Sequence, residues 1–127
     1  MKTILVDAVF CLVTEEGKLF EEMHNLLEAY PNSKIVLTGA NDEQFKKFGL
    51  DRVPYKVFSL KHNPEKSDPK YYRILLKQFD LSASETIYFE HDQAAVRSAQ
   101  SVGIKTYQYN NETKDLVLLK QFIDSNL

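Results

Sequence analysis

The chain is 127 residues long, 43% hydrophobic and 27% charged, with a formal net charge of −2; this balance suits a single soluble globular domain over residues 1–127 and excludes a disordered chain or one built around membrane spans. Its 16 Lys and Arg are interspersed with 18 Asp and Glu, which leaves no footprint for nucleic acid. The lone Cys11 cannot form an internal disulfide; with no signal-peptide pattern and no apolar run of bilayer length, a reducing cytoplasm is the expected setting.

Lys2-Thr3-Ile4-Leu5-Val6 opens the chain as an uninterrupted apolar, β-branched run, the pattern of a strand buried on both faces. It stops on Asp7, which is either a turn or cap residue or a functional group at a strand's carboxyl end, where open α/β sheets bind ligands. Ala8 to Val13 is apolar but short, and Thr14-Glu15-Glu16-Gly17 is a polar turn. From Lys18 to Tyr30 the apolar residues Leu19, Phe20, Met23, Leu26, Leu27 and Tyr30 fall at helical spacing, and Pro31-Asn32 ends that helix. Ser33 to Thr38 is a second buried strand. Asn41 or Asp42 caps a short helix through Phe48, and Gly49 supplies a left-handed stop.

The rhythm then repeats. Lys56 to Leu60 is a third strand, followed by a polar loop containing His62, Pro64 and Lys66. Asp68-Pro69 places an N-cap and a first-turn proline before a helix that buries Tyr72, Leu75, Leu76 and Phe79. Thr86 to Phe89 is a fourth strand ending at Glu90-His91-Asp92. A small-residue helix face of Ala95, Val96, Ala99 and Val102 runs to Gly103, Lys105 to Tyr109 is a fifth strand, and Leu116, Leu119, Phe122 and Ile123 stripe a closing helix. Five strands alternating with helices imply right-handed crossovers and a parallel sheet covered on both faces: an α/β, three-layer, Rossmann-like domain.

Polar groups collect at the strand ends: Asp7, Thr38, the loop carrying Lys66, and the Glu90-His91-Asp92 cluster. A carboxylate nucleophile, a hydroxyl donor, a cation and a further carboxylate can together hold and attack a phosphoryl centre with the help of a metal. Each has a plainer reading. Thr38 can be an ordinary β-branched strand residue, Lys66 a solvated loop lysine and Asp92 the N-cap of the next helix. Their order and spacing is more specific than any one of them.

In that order the chain resembles the haloacid dehalogenase-like (HAD) superfamily. Leu5-Val6-Asp7-Ala8-Val9-Phe10-Cys11-Leu12 looks like motif I, Ile35-Val36-Leu37-Thr38-Gly39 like motif II, Glu65-Lys66-Ser67-Asp68-Pro69 like the segment carrying the motif III lysine, and Ile87-Tyr88-Phe89-Glu90-His91-Asp92 with Val96, Ala99 and Gly103 like motif IV. The resemblance implies a sheet ordered 5-4-1-2-3 with Asp7 on the central strand. It also implies catalysis by Asp7, Thr38 and Lys66 through an aspartyl-phosphate intermediate, and Mg²⁺ held by Asp7, the Val9 carbonyl and Asp92.

Two departures qualify this. Family phosphatases carry a second Asp two residues after the nucleophile, and here that position is Val9, which cannot move a proton. Counting back from Gly103 without a gap puts His91, not Asp92, at the metal-binding position, with Glu90 before it. The intervals that hold cap domains in the family are filled by core elements, so no cap is expected, and an open site suits a bulky or macromolecular substrate. The resulting expectation is a weak or degenerate phosphatase acting on a phosphorylated small molecule or protein. The alternative is a catalytically silent HAD-fold domain that binds a phosphorylated ligand or a protein partner. A response-regulator receiver domain fits less well, since it needs an acidic pair after the first strand and an Asp ending the third, where this chain has Asp7 alone and Ser59-Leu60.

Overall fold

A computed structural model describes all residues, Met1–Leu127. Strands β1 (Thr3–Asp7), β2 (Lys34–Thr38), β3 (Lys56–Ser59), β4 (Thr86–Glu90) and β5 (Lys105–Gln108) form one five-stranded parallel sheet in the order 3-2-1-4-5, the expected order read from the other edge. The central place of β1 follows from its sequence, because all five of its residues are buried and only a strand hydrogen-bonded on both sides and covered on both faces can bury an unbroken run. Val6 pairs with Val36 of β2 and with Phe89 of β4, so Asp7, Thr38 and Glu90 emerge together along one edge of the sheet.

Alternation along the strands divides the core in two. Ile4 and Val6 of β1 join Val36, Ile87 and Phe89 on one face, under Met23 and Leu27 of α1 (Glu21–Glu28) and Leu119 and Ile123 of α5 (Leu116–Asn126). Leu5 points the other way, with Ile35, Leu37, Phe58 and Tyr88, against Tyr71, Tyr72 and Leu75 of α3 (Pro69–Gln78) and Ala99 of α4 (Gln93–Ser101). Each such side chain contributes roughly 1.5–3 kcal/mol relative to an exposed one. The remaining helix, α2 (Asp42–Lys47), is short and buries none of its own residues; Asn41 starts it through a capping box with Gln44. The intervals 8–33 and 39–65 hold only elements of this sheet and its helical layers, and no helix is long and apolar enough to cross a membrane.

Most element ends fall within one or two residues of the expected positions, and one start differs by more. The first helix begins at Glu21, not Lys18, because the residues before it are drawn into pairing with the loop after β1. Lys18 O accepts from Thr14 N at 2.8 Å, Phe20 N donates to Leu12 O at 2.8 Å, and Leu19 bridges Val13. Helical spacing in the sequence cannot report such a nonlocal competitor.

The start of α3 positions the lysine-bearing loop. Asp68 accepts from Lys70 N at 2.9 Å with Pro69 as the first helical residue, a geometry that satisfies one otherwise orphaned amide. Asp68→Ala is expected to destabilise the fold by about 1 kcal/mol, read as a lower urea midpoint. An unchanged midpoint would mean that Pro69 alone fixes this turn.

Candidate active site

The site is built where β1, β2 and β4 end. After Asp7 the chain makes a tight turn in which Cys11, Leu12 and Val13 amides all donate to Ala8 O, and this turn brings the Cys11 thiol back over the carboxylate, Sγ to Asp7 Oδ2 at 3.2 Å. Phe10 at the crest has φ +74°. A bulky residue there carries strain of about 1–3 kcal/mol, and its ring, 38% exposed, meets His91 edge-on at 5.2 Å between centroids.

Asp7 is only 1% exposed and both its oxygens are engaged. Lys66 Nζ donates to Oδ1 at 2.6 Å and to Glu90 Oε1 at 2.6 Å, with a longer approach to Leu37 O at 3.4 Å. His91 Nδ1 contacts Asp7 Oδ2 and lies 3.2 Å from Glu90 Oε2. Glu90, fully buried, also accepts from the Tyr88 hydroxyl and from Asp92 N at 3.1 Å. Two cations thus face two carboxylates, the condition under which buried charges persist.

These contacts set the protonation states. Burial alone would raise the Asp7 pKa, but the Lys66 charge and the hydrogen bond from His91 hold it well below the usual carboxylate range. Burial works against the Lys66 charge too, yet Asp7 and Glu90 push its pKa well above normal. For His91, burial disfavours the imidazolium, and the hydrogen bonds and negative charge of Asp7 and Glu90 outweigh it, raising the pKa from 6.5 to about 10.

A pH dependence follows. Because the His91 pKa is higher folded than unfolded, its contribution to stability is complete below pH 6.5 and is lost as pH rises through about 10. Asp7 acts in the opposite sense: its depressed pKa contributes above its ordinary value of 3.8 and that contribution is lost on acidification below it. Urea midpoints of metal-free protein are therefore expected to fall from pH 6.5 toward pH 10, and His91→Gln should flatten this alkaline limb. The same decline in that variant would assign it to another group.

Thr38 is buried, and its Oγ1 accepts from Ala40 N at 3.1 Å, so the hydroxyl proton is the donor open to a ligand. Asp7, Thr38 and Lys66 line one cleft of about 220 Å³ together with Val9, Gln44, His62 and His91. Val9, which lines this cleft, brings no ionisable group to it. Asp92 lies elsewhere: its carboxylate accepts from Ala95 N at 3.1 Å as the N-cap of α4, and it is His91 that turns onto Asp7. Cys11 was not legible as a site residue, since nothing in a lone apolar-flanked cysteine signals that a turn will fold it back.

These positions test whether Mg²⁺ fits. Magnesium takes hard oxygen ligands in near-octahedral geometry, whereas the groups meeting the Asp7 carboxylate are an amine, an imidazole and a thiol. The Asp92 carboxylate is turned to the α4 amides, and the Glu90 oxygens are already taken. This donor set does not fit Mg²⁺.

A parallel 3-2-1-4-5 sheet with an Asp ending its central strand and a Lys reaching it from the loop before α3 is the HAD fold. Solved structures agree. The chain is similar to a HAD-family enzyme from Bacteroides thetaiotaomicron, with a TM-score of 0.74 at 14% identity over 94% of this chain and 98% of that one. The wild-type enzyme in complex with magnesium and inorganic phosphate gives 0.71 at 13% identity over 87% and 95%. The core domain of an inferred phosphoglycolate phosphatase from Streptococcus pneumoniae gives 0.65 at 15% identity over 98% and 96%. No family model and no curated protein sequence matches the chain. At such identities the likeness establishes the fold.

Proposed function

We propose that this protein is a HAD-like phosphohydrolase of low activity that uses Asp7 as nucleophile and is confined to phosphates with good leaving groups. The observation that carries the reading is the convergence of Asp7, Thr38 and Lys66 on one cleft at the carboxyl edge of the sheet. Thr38 donates its hydroxyl proton to a phosphoryl oxygen, and Lys66 can exchange its long contact to Leu37 O for another. Asp7 Oδ1 attacks phosphorus, the leaving group departs with its electron pair, and water later hydrolyses the aspartyl phosphate. Lys66 and His91 supply the compensating positive charge. Magnesium held by Asp7, the Val9 carbonyl and Asp92 has no part in this reading, because the donors around Asp7 do not suit it.

The leaving group sets the limit. With Val9 in the cleft and His91 Nδ1 held on Asp7 and Glu90, a departing alkoxide has no free acid aimed at it, whereas p-nitrophenolate and carboxylate leave unaided. Measurable turnover of p-nitrophenyl phosphate or acetyl phosphate, little or none of a sugar phosphate, and complete loss in Asp7→Asn are the expected results. Efficient sugar-phosphate hydrolysis would contradict the assigned role of Val9.

The silent-domain reading draws on a specific observation, the near-complete burial of Asp7 with both oxygens engaged. A phosphorylated ligand, small or protein-borne, would then be held without turnover. Fluoroberyllate or inorganic phosphate shifting the amide resonances of Thr38 and Gly39, in the absence of any hydrolysis, would select it.

A further inference from the structure

The same structure that disfavours magnesium assembles a different set of donors. Asp7 Oδ2, Cys11 Sγ and His91 Nδ1 all lie within 4.8 Å of one another, and both the thiol and the imidazole are directed at the same carboxylate oxygen. Asp7 and Cys11 are each 1% exposed, so these are not loose surface groups that happen to be near. A tetrahedral zinc ion with Zn–S near 2.3 Å and Zn–N and Zn–O near 2.0–2.2 Å spaces its ligands by roughly 3.3–3.8 Å, which small rotations of these side chains reach.

We propose that Asp7, Cys11 and His91 form a binding site for a thiophilic divalent cation, of which Zn²⁺ is the type. One thiolate, one imidazole and one carboxylate is a donor set that selects zinc over magnesium by softness and by coordination number. Three protein ligands leave one position open. Asp7 and His91 line the cleft shared with Thr38 and Lys66, so that position faces the place where a phosphoryl oxygen or water would sit. Lys66 stays on the other carboxylate oxygen and does not compete.

Charge and access agree with this. In the metal-free protein, burial and the negative charges of Asp7 and Glu90 hold the Cys11 pKa well above its ordinary value and His91 carries a proton shared with Asp7; a divalent cation among these groups displaces both protons to solvent, so that Cys11 binds as thiolate and His91 as neutral imidazole. Cys11 also borders a second cavity of about 290 Å³ that carries Glu15 and Glu16 against a single Lys114.

The inference needs only the three donors and stands whether or not Asp7 is a nucleophile, so it is tested without any phosphate. Untagged protein stripped with chelator and titrated by calorimetry is expected to bind one Zn²⁺ and no Mg²⁺. Cobalt(II) in place of zinc should give the near-ultraviolet thiolate charge-transfer band and intense visible bands of a tetrahedral thiolate complex. His91→Ala and Cys11→Ser should each weaken Zn²⁺ binding by at least roughly 10–100-fold, the range seen for disturbing even the groups behind a metal's ligands. Because Cys11 is buried and its replacement risks the fold, His91, whose side chain is 25% exposed, serves as the safer variant, with His24→Ala on α1 as a control that should change nothing. No zinc binding, a cobalt spectrum without the thiolate band, or unchanged affinity in His91→Ala would each overturn the assignment.

Discussion

Val9→Asp is expected to convert a poor phosphatase into a markedly better one, raising kcat/KM on alkyl phosphates by up to roughly 10²–10⁴-fold, the usual worth of a positioned general acid or base. Val9 lines the cleft beside Asp7, Thr38 and Lys66, so the substitution introduces an ionisable group where the cleft otherwise has an apolar residue. The gain should be largest for sugar phosphates, whose alkoxide needs a proton, and smaller for p-nitrophenyl phosphate, whose phenolate does not. Parallel kinetics on the two substrates measure this directly. No gain on either, with circular dichroism unchanged, would favour the domain that binds without turnover.

Lys66→Met is expected to carry the largest loss of stability, about 3–5 kcal/mol, because it leaves buried charge without its partner. The lysine amine is shared between Asp7 and Glu90, whose side chains are 2% and 0% exposed. His91, on the far oxygens of the same carboxylates, can neutralise only one of them. Glu90→Gln in the Lys66→Met background should recover part of the loss, and the double-mutant cycle gives the coupling. Urea denaturation near pH 7 is the measurement; a loss under about 1 kcal/mol would mean that one of the two carboxyl groups is already protonated in the fold.

Much of this architecture is legible in the sequence. Strands buried on both faces announce themselves as unbroken apolar runs, Asp68-Pro69 has few uses other than starting a helix, and glycines at 49 and 103 take the left-handed conformations their places after helices require. Because parallel strands must be joined by crossovers, the alternation of elements led to the sheet, and the sheet placed Asp7, Thr38 and the Lys66 loop on one edge.

What surrounds the Asp7 carboxylate was decided only by tertiary structure. The sequence left Glu90, His91 and Asp92 as rivals for one position; in the folded chain Asp92 caps the α4 amide at Ala95 while His91 turns back to Asp7, a placement set by where the turn after β4 ends and not by residue type. Cys11 reaches the same carboxylate through an irregular turn, and Lys66 meets Glu90 across 24 residues of chain. Periodicity and propensity describe what a segment does with its own backbone. Which side chains share a buried carboxylate depends on distances between separate segments, and these are fixed only once the core has packed.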